Sequence, residues 1–68
     1  MKISARNRIK GKITAVNKGA TTSHVKIDIG GATVTASITN EAVDELKLKA
    51  GMDAYAIVKA SDVMVGVD

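Results

Sequence analysis

This chain of 68 residues is predicted to be all-β with one short helix, folded as a five-stranded Greek-key barrel. Three observations carry the prediction. Apolar residues alternate with polar ones in short runs along most of the chain, glycine-rich or polar turns separate the runs, and the period lengthens to about 3.6 only once, just after Thr39.

The first run places Ile9, Gly11, Ile13 and Ala15 on one face and Arg8, Lys10, Lys12 and Thr14 on the other, as in a half-buried strand. Gly11 inside it marks a bulge or the close approach of another backbone. Asn17-Lys18-Gly19-Ala20 reads as a turn, with Gly19 free to adopt positive φ. In the second run Val25, Ile27 and Ile29 face inward and His24, Lys26 and Asp28 outward. Gly30-Gly31 closes a hairpin into a third run, with Ala32, Val34, Ala36 and Ile38 inside and Thr33, Thr35, Ser37 and Thr39 outside.

At Thr39-Asn40 a helix begins, capped by one of these two residues. Ala42, Val43 and Leu46 share its apolar face, and Lys47, Lys49 and Gly51 end it. Ala54 to Ala60 is apolar on both faces, which suits a strand lying in an interface. Ser61-Asp62 is a tight turn, where Asp62 is read as capping the turn in preference to pairing with a lysine, and Val63 to Val67 is the last strand. The order β, β, β, α, β, β is that of the OB-fold. Residues 1–68 are read as one domain, without linker or repeat.

Composition narrows what such a domain can do. No cysteine and one histidine exclude disulfides and a zinc or Cys/His redox centre within one subunit. Hydrophobic residues make up 46% of the chain, yet Phe and Trp are absent and Tyr55 is the only aromatic, so each subunit has little apolar area to bury alone. Oligomerisation is the expected remedy. A net charge of +3 favours anionic partners. The charged N-terminal residues lack the apolar stretch of a signal peptide and no run reaches membrane-spanning length, so a cytoplasmic location with no membrane contact is expected.

Ser4-Ala5-Arg6-Asn7 gathers a hydroxyl, a guanidinium and a carboxamide ahead of the first strand. These are mainly hydrogen-bond donors, which a tetrahedral oxyanion lacks and requires. No nucleophile with a base partner, no facing carboxylates and no phosphate loop ahead of a helix are present, so the chain is expected not to be an enzyme. Glu41, Asp44 and Glu45 suit the positive end of a solvated helix, and His24 is read as a solvated side chain. The rival function is nucleic-acid binding by an OB-fold. It is disfavoured because the middle strands offer no aromatic on which a base could stack, and no nucleic acid is expected as a partner.

Ser4-Ala5-Arg6-Asn7, Ser37-Ile38-Thr39 ahead of the helix, and Val58-Lys59-Ala60-Ser61-Asp62-Val63 near the end together resemble the molbindins, small proteins with a TOBE-type domain that bind molybdate and tungstate. The likeness spans essentially the whole chain. It implies a cytoplasmic homohexamer, a trimer of dimers, that stores or buffers the oxyanion at subunit interfaces. Molybdate or tungstate is then the bound ligand, with no organic cofactor and no direct coordination of the metal by protein atoms. The main site implied uses Ser4, Ala5, Arg6, Lys59, Ala60 and Ser61, with Thr39 from a neighbouring subunit. The resemblance also implies a second class of site near the threefold axis. Its best candidate here is Lys18-Gly19-Ala20-Thr21-Thr22, where amides around a glycine and two hydroxyls can form an anion nest.

Overall fold

The computed structural model describes all 68 residues. Four strands, β1 (Asn7–Lys18), β2 (Thr22–Asp28), β3 (Thr33–Thr39) and β4 (Asp53–Val58), form one antiparallel sheet in the order β3-β2-β1-β4. Helix α1 (Asn40–Leu46) joins β3 to β4, and a single 3-10 turn, Ala60–Asp62, follows β4.

The sheet curls because β1 is long enough to pair with β4 along its first half and with β2 along its second. Gly11 makes the handover possible. A Cβ there would lie 2.4 Å from the Asp28 carbonyl oxygen and 2.7 Å from Ile27 Cγ2, so only glycine allows β2 to end against β1. The bulge itself falls at Thr14, between the pairs Ile13–Ile27 and Ala15–Lys26. One inserted residue reverses the faces beyond it. Ala15, expected inside, therefore pairs with outward-facing Lys26, and Val16 packs against the core instead.

Turn chemistry also departs from expectation at one glycine. Gly30 and Gly31 both take φ near +90°, as the hairpin requires, and the Gly30 amide donates to Asp28 Oδ1 at 2.9 Å. Gly19 does not have positive φ. It is needed for room: its amide donates to the Thr22 carbonyl at 2.7 Å, and a Cβ would lie 2.9 Å from that same oxygen.

Thr39 caps α1, its hydroxyl accepting from the Ala42 amide at 3.1 Å. Lys47 ends the helix in the left-handed conformation, φ 55°, with its amide bonded to Asp44 O and that of Leu48 to Val43 O. Val43 enters the core and Leu48 packs beside it, whereas Leu46, expected on the same face, stays 61% exposed. Gly51 lies beyond the helix and donates to the Ile13 carbonyl at 2.8 Å, which anchors the returning chain to β1.

The core is small: Ile13, Val25, Ile27, Val43 and Ala56, with buried Ser23 at its margin. The fifth strand expected over Val63 to Val67 does not form within the chain, so the sheet is an open half-barrel instead of a closed five-stranded one. The tail pairs with no strand of the chain, and Met64, Val65 and Val67 are more than nine-tenths exposed. Between the unpaired edges of β3 and β4 lies an apolar groove of about 520 Å³, floored by Ile13, Val25 and Ile27. The chain makes 31 backbone–backbone hydrogen bonds, where roughly 45 to 50 are usual at this length. Much of the shortfall lies at these two edges and in the tail.

Candidate functional site

Antiparallel pairing of Asn7 with Val58 closes one end of the β1–β4 ladder, and Asn7 Nδ2 reinforces it by donating to the Val58 carbonyl at 3.1 Å. The carboxamide read as part of an anion grip is thus committed to the backbone. Its effect is to bring the two neighbouring segments, Ser4-Ala5-Arg6 and Lys59-Ala60-Ser61, out of the sheet side by side.

Both segments present donors that the chain itself does not use. Asp62 N donates to Lys59 O at 2.9 Å and Val63 N to Ala60 O at 3.2 Å, which winds the 3-10 turn and leaves the amides of Ala60 and Ser61 without an acceptor. The amide of Ala5 is equally free, and neither Arg6 nor Lys59 forms an ion pair. The hydroxyls of Ser4 and Ser61 make no hydrogen bond within the chain. Two cations, two hydroxyls and three amides thus lie on the two segments that leave the sheet from the Asn7–Val58 pair, all on exposed residues except half-buried Ala5. Asp62, expected to cap its turn, makes no side-chain cap there.

Thr39 is not part of this cluster. It pairs with Thr22 beyond the far end of β1, at the opposite end of the 12-residue strand from Asn7. Its hydroxyl oxygen accepts from Ala42 N as the helix cap, and its proton remains available to a group outside the chain.

The segment Lys18 to Thr22 lies at that far end, beside a polar depression of about 290 Å³ lined by Asn17, Lys18, Gly19, Thr22 and His24. Lys18 Nζ is paired with Asp44 Oδ1 of α1 at 2.6 Å, and the Gly19 amide is used by Thr22. What remains free are the amides of Ala20 and Thr21 and the hydroxyls of Thr21 and Thr22.

Asn40 organises this end, and sequence reasoning saw it only as an alternative helix cap. Its Nδ2 donates to Gly19 O at 3.0 Å and Ala20 O at 3.4 Å, its backbone amide donates to Thr21 O at 3.0 Å, and its Oδ1 accepts from buried Ser23 Oγ. The available signal was redundancy. Two capping residues in tandem, Thr39 and Asn40, leave one of them free for another task.

No group of three or more His, Cys, Asp or Glu side chains is placed to hold a metal ion, and no helix is long and apolar enough to cross a membrane.

Comparison with known proteins agrees with this architecture. The model of the TOBE domain matches residues 3–65. A probable molybdenum-pterin-binding protein of Haemophilus influenzae is 52% identical over 69 residues, covering all of both chains. Among solved structures, a molybdate-binding protein from Sporomusa ovata superposes with a TM-score of 0.93 at 33% identity, over 98% of this chain and 100% of that one. The cytoplasmic molybdate-binding protein ModG, in a form with molybdate bound, gives 0.92 at 39% identity; all of this chain matches 49% of that longer one. A half-barrel of four strands with donor-rich ends, matched by a family model over nearly its whole length, thus belongs to the TOBE domain family and, within it, to the molbindin group of small molybdenum-pterin-binding proteins.

Proposed function

We propose that the chain, acting as one domain over residues 1–68, binds molybdate, and tungstate by the same chemistry, where copies of itself meet. It does so as a cytoplasmic store or buffer and catalyses no reaction. The observation that carries this reading is the cluster of unused donors at Ser4-Ala5-Arg6 and Lys59-Ala60-Ser61, held together by the Asn7–Val58 pair. It is supported by relatives and structural neighbours that are named for binding molybdate or molybdenum-pterin.

A tetrahedral dianion has acceptors on every oxygen, and taking it out of water costs several kcal/mol that only converging donors and opposite charge offset. Arg6 and Lys59 supply the charge, the two serines the hydroxyls, and Ala5, Ala60 and Ser61 the amides. The resemblance to the molbindins assigns Thr39 to the site of a neighbouring copy, which agrees with its place at the other end of its own sheet. A cavity bounded by two chains also selects by size. Sulfate has the same charge and shape and makes the same demand for donors, so only a rigid enclosure separates the ions.

Oligomerisation follows from the same incompleteness. The groove between β3 and β4 is apolar, and Val63 to Val67 is an exposed apolar segment that pairs with no strand of its own chain. We place the tail of one copy against its neighbour, in a dimer that assembles further into a hexamer. The 18–22 segment serves as a second, weaker oxyanion site. Nucleic-acid binding is the less favoured reading, since Tyr55 stands on β4 and not on the β2–β3 face.

Calorimetric titration with sodium molybdate tests the main site. Arg6→Ala is expected to weaken binding by roughly 10- to 100-fold, because a charge-assisted hydrogen bond is worth about 1.5–3 kcal/mol. An unchanged isotherm refutes the assignment. Native mass spectrometry with and without molybdate reports the copy number and ions bound per assembly.

A further inference from the structure

The second-site proposal leaves open what turns the backbone of residues 20 and 21 toward an anion. Asn40 grips the inner side of this segment at three successive carbonyls, those of Gly19, Ala20 and Thr21. In a trans peptide the carbonyl of one residue and the amide hydrogen of the next point in opposite directions, and the chain has no cis bond. Drawing the Gly19 and Ala20 carbonyls toward the Asn40 carboxamide therefore sends the amides of Ala20 and Thr21 the other way, out to the surface. Within this segment, these are the two amides that find no acceptor in the chain.

We infer that Asn40 is the positioning residue of the second oxyanion site: it touches no ligand, but satisfies the inward carbonyls and so holds the Ala20 and Thr21 amides outward as a donor pair. Its own posture is set in turn. A flipped carboxamide would set Oδ1 against the Gly19 and Ala20 carbonyl oxygens, acceptor against acceptor, so Nδ2 must face the carbonyls and Oδ1 is left to accept from buried Ser23 Oγ. The Lys18–Asp44 pair links the same helix to the same strand end. This inference rests on the second-site proposal, and its test separates the two.

The experiment is a nitrogen–proton correlation NMR titration of the whole assembly with sodium molybdate, at 150 mM and 500 mM salt. In the wild type the Ala20 and Thr21 amide signals are expected to shift saturably, along with those of Ala60 and Ser61. Asn40→Ala is expected to raise the molybdate concentration that half-saturates the Ala20 and Thr21 shifts about tenfold, leaving Ala60 and Ser61 unchanged. Asn40→Asp keeps the acceptor for Ser23 and removes the donor while adding a negative charge, and it decides the matter if the alanine variant fails to fold. Its loss should persist at 500 mM salt, where the effect of an added charge is screened. Silent Ala20 and Thr21 signals in the wild type overturn the second site and this inference together. Wild-type shifts that survive both substitutions within twofold overturn the role of Asn40 alone, as does an equal loss at Ala60 and Ser61.

Discussion

At the far end of the sheet the chain ties β1 and β2 to α1 through two side-chain pairs, Lys18–Asp44 and Ser23–Asn40, and through the bonds of Asn40 to the Gly19 and Ala20 carbonyls. At the near end, where β1 and β4 leave the sheet, a single side-chain bond from Asn7 to Val58 does that work, and the segments beyond it keep their donors and apolar side chains unpaired. A self-contained end can be built from one chain with short-range contacts. The near end holds the unpaired tail and the unused donors of Ser4-Ala5-Arg6 and Lys59-Ala60-Ser61, while the far end keeps free only the Ala20 and Thr21 amides and threonine hydroxyls.

The strongest way to break this contrast is to remove the tail. Deleting residues 63–68 takes away four apolar side chains that each contribute about 1.5–3 kcal/mol when buried. Sedimentation velocity should then show loss of assembly at micromolar concentration, and molybdate binding at the main cluster should fall by at least 100-fold. A deletion variant that assembles and binds normally would show that the near end is not completed by a neighbour's tail.

Gly11→Ala probes the curl that separates the two ends. Its Cβ would collide with the Asp28 carbonyl at 2.4 Å, a backbone atom that cannot swing aside, so a loss of about 1–3 kcal/mol is expected in urea unfolding. Unaltered stability would mean that β2 can end elsewhere. Thr39→Val removes the cap of α1, worth about 1 kcal/mol. If the hydroxyl also serves a neighbour's main site, molybdate affinity should fall as well, even with the helix content preserved by circular dichroism.

The smallest effect sharpens the contrast at the self-contained end. Lys18 and Asp44 are both exposed, so Asp44→Asn should change stability by less than about 1 kcal/mol. It also frees Lys18 beside the Ala20 and Thr21 amides, so weak-site molybdate affinity should rise by a few-fold. Weaker binding would show that the ion pair holds the segment in its binding posture.

Alternation and turn residues were enough to locate all four strands and the helix, since period two, paired glycines and a tandem of capping residues each have a local cause. The same local rules misplaced Ala15, because a bulge at Thr14 obeys the geometry of two strands and leaves no mark in the composition of one. They misjudged Gly19 for a related reason: crowding by the Thr22 carbonyl is a contact, while positive φ is a property of the residue alone. The donor clusters were legible as residue types at Ser4-Ala5-Arg6 and Lys59-Ala60-Ser61. Their adjacency follows from the Asn7–Val58 register, 51 residues apart in the chain.

What local chemistry dictated, then, is a basic β protein without large aromatic anchors, since charge, composition and alternation are all written residue by residue. Which amides are free, which end of the sheet is closed, and that Asn40 holds a segment instead of capping a helix came only with the fold. Each of these depends on the direction a backbone group takes after distant strands have paired, and no single stretch of sequence carries that direction.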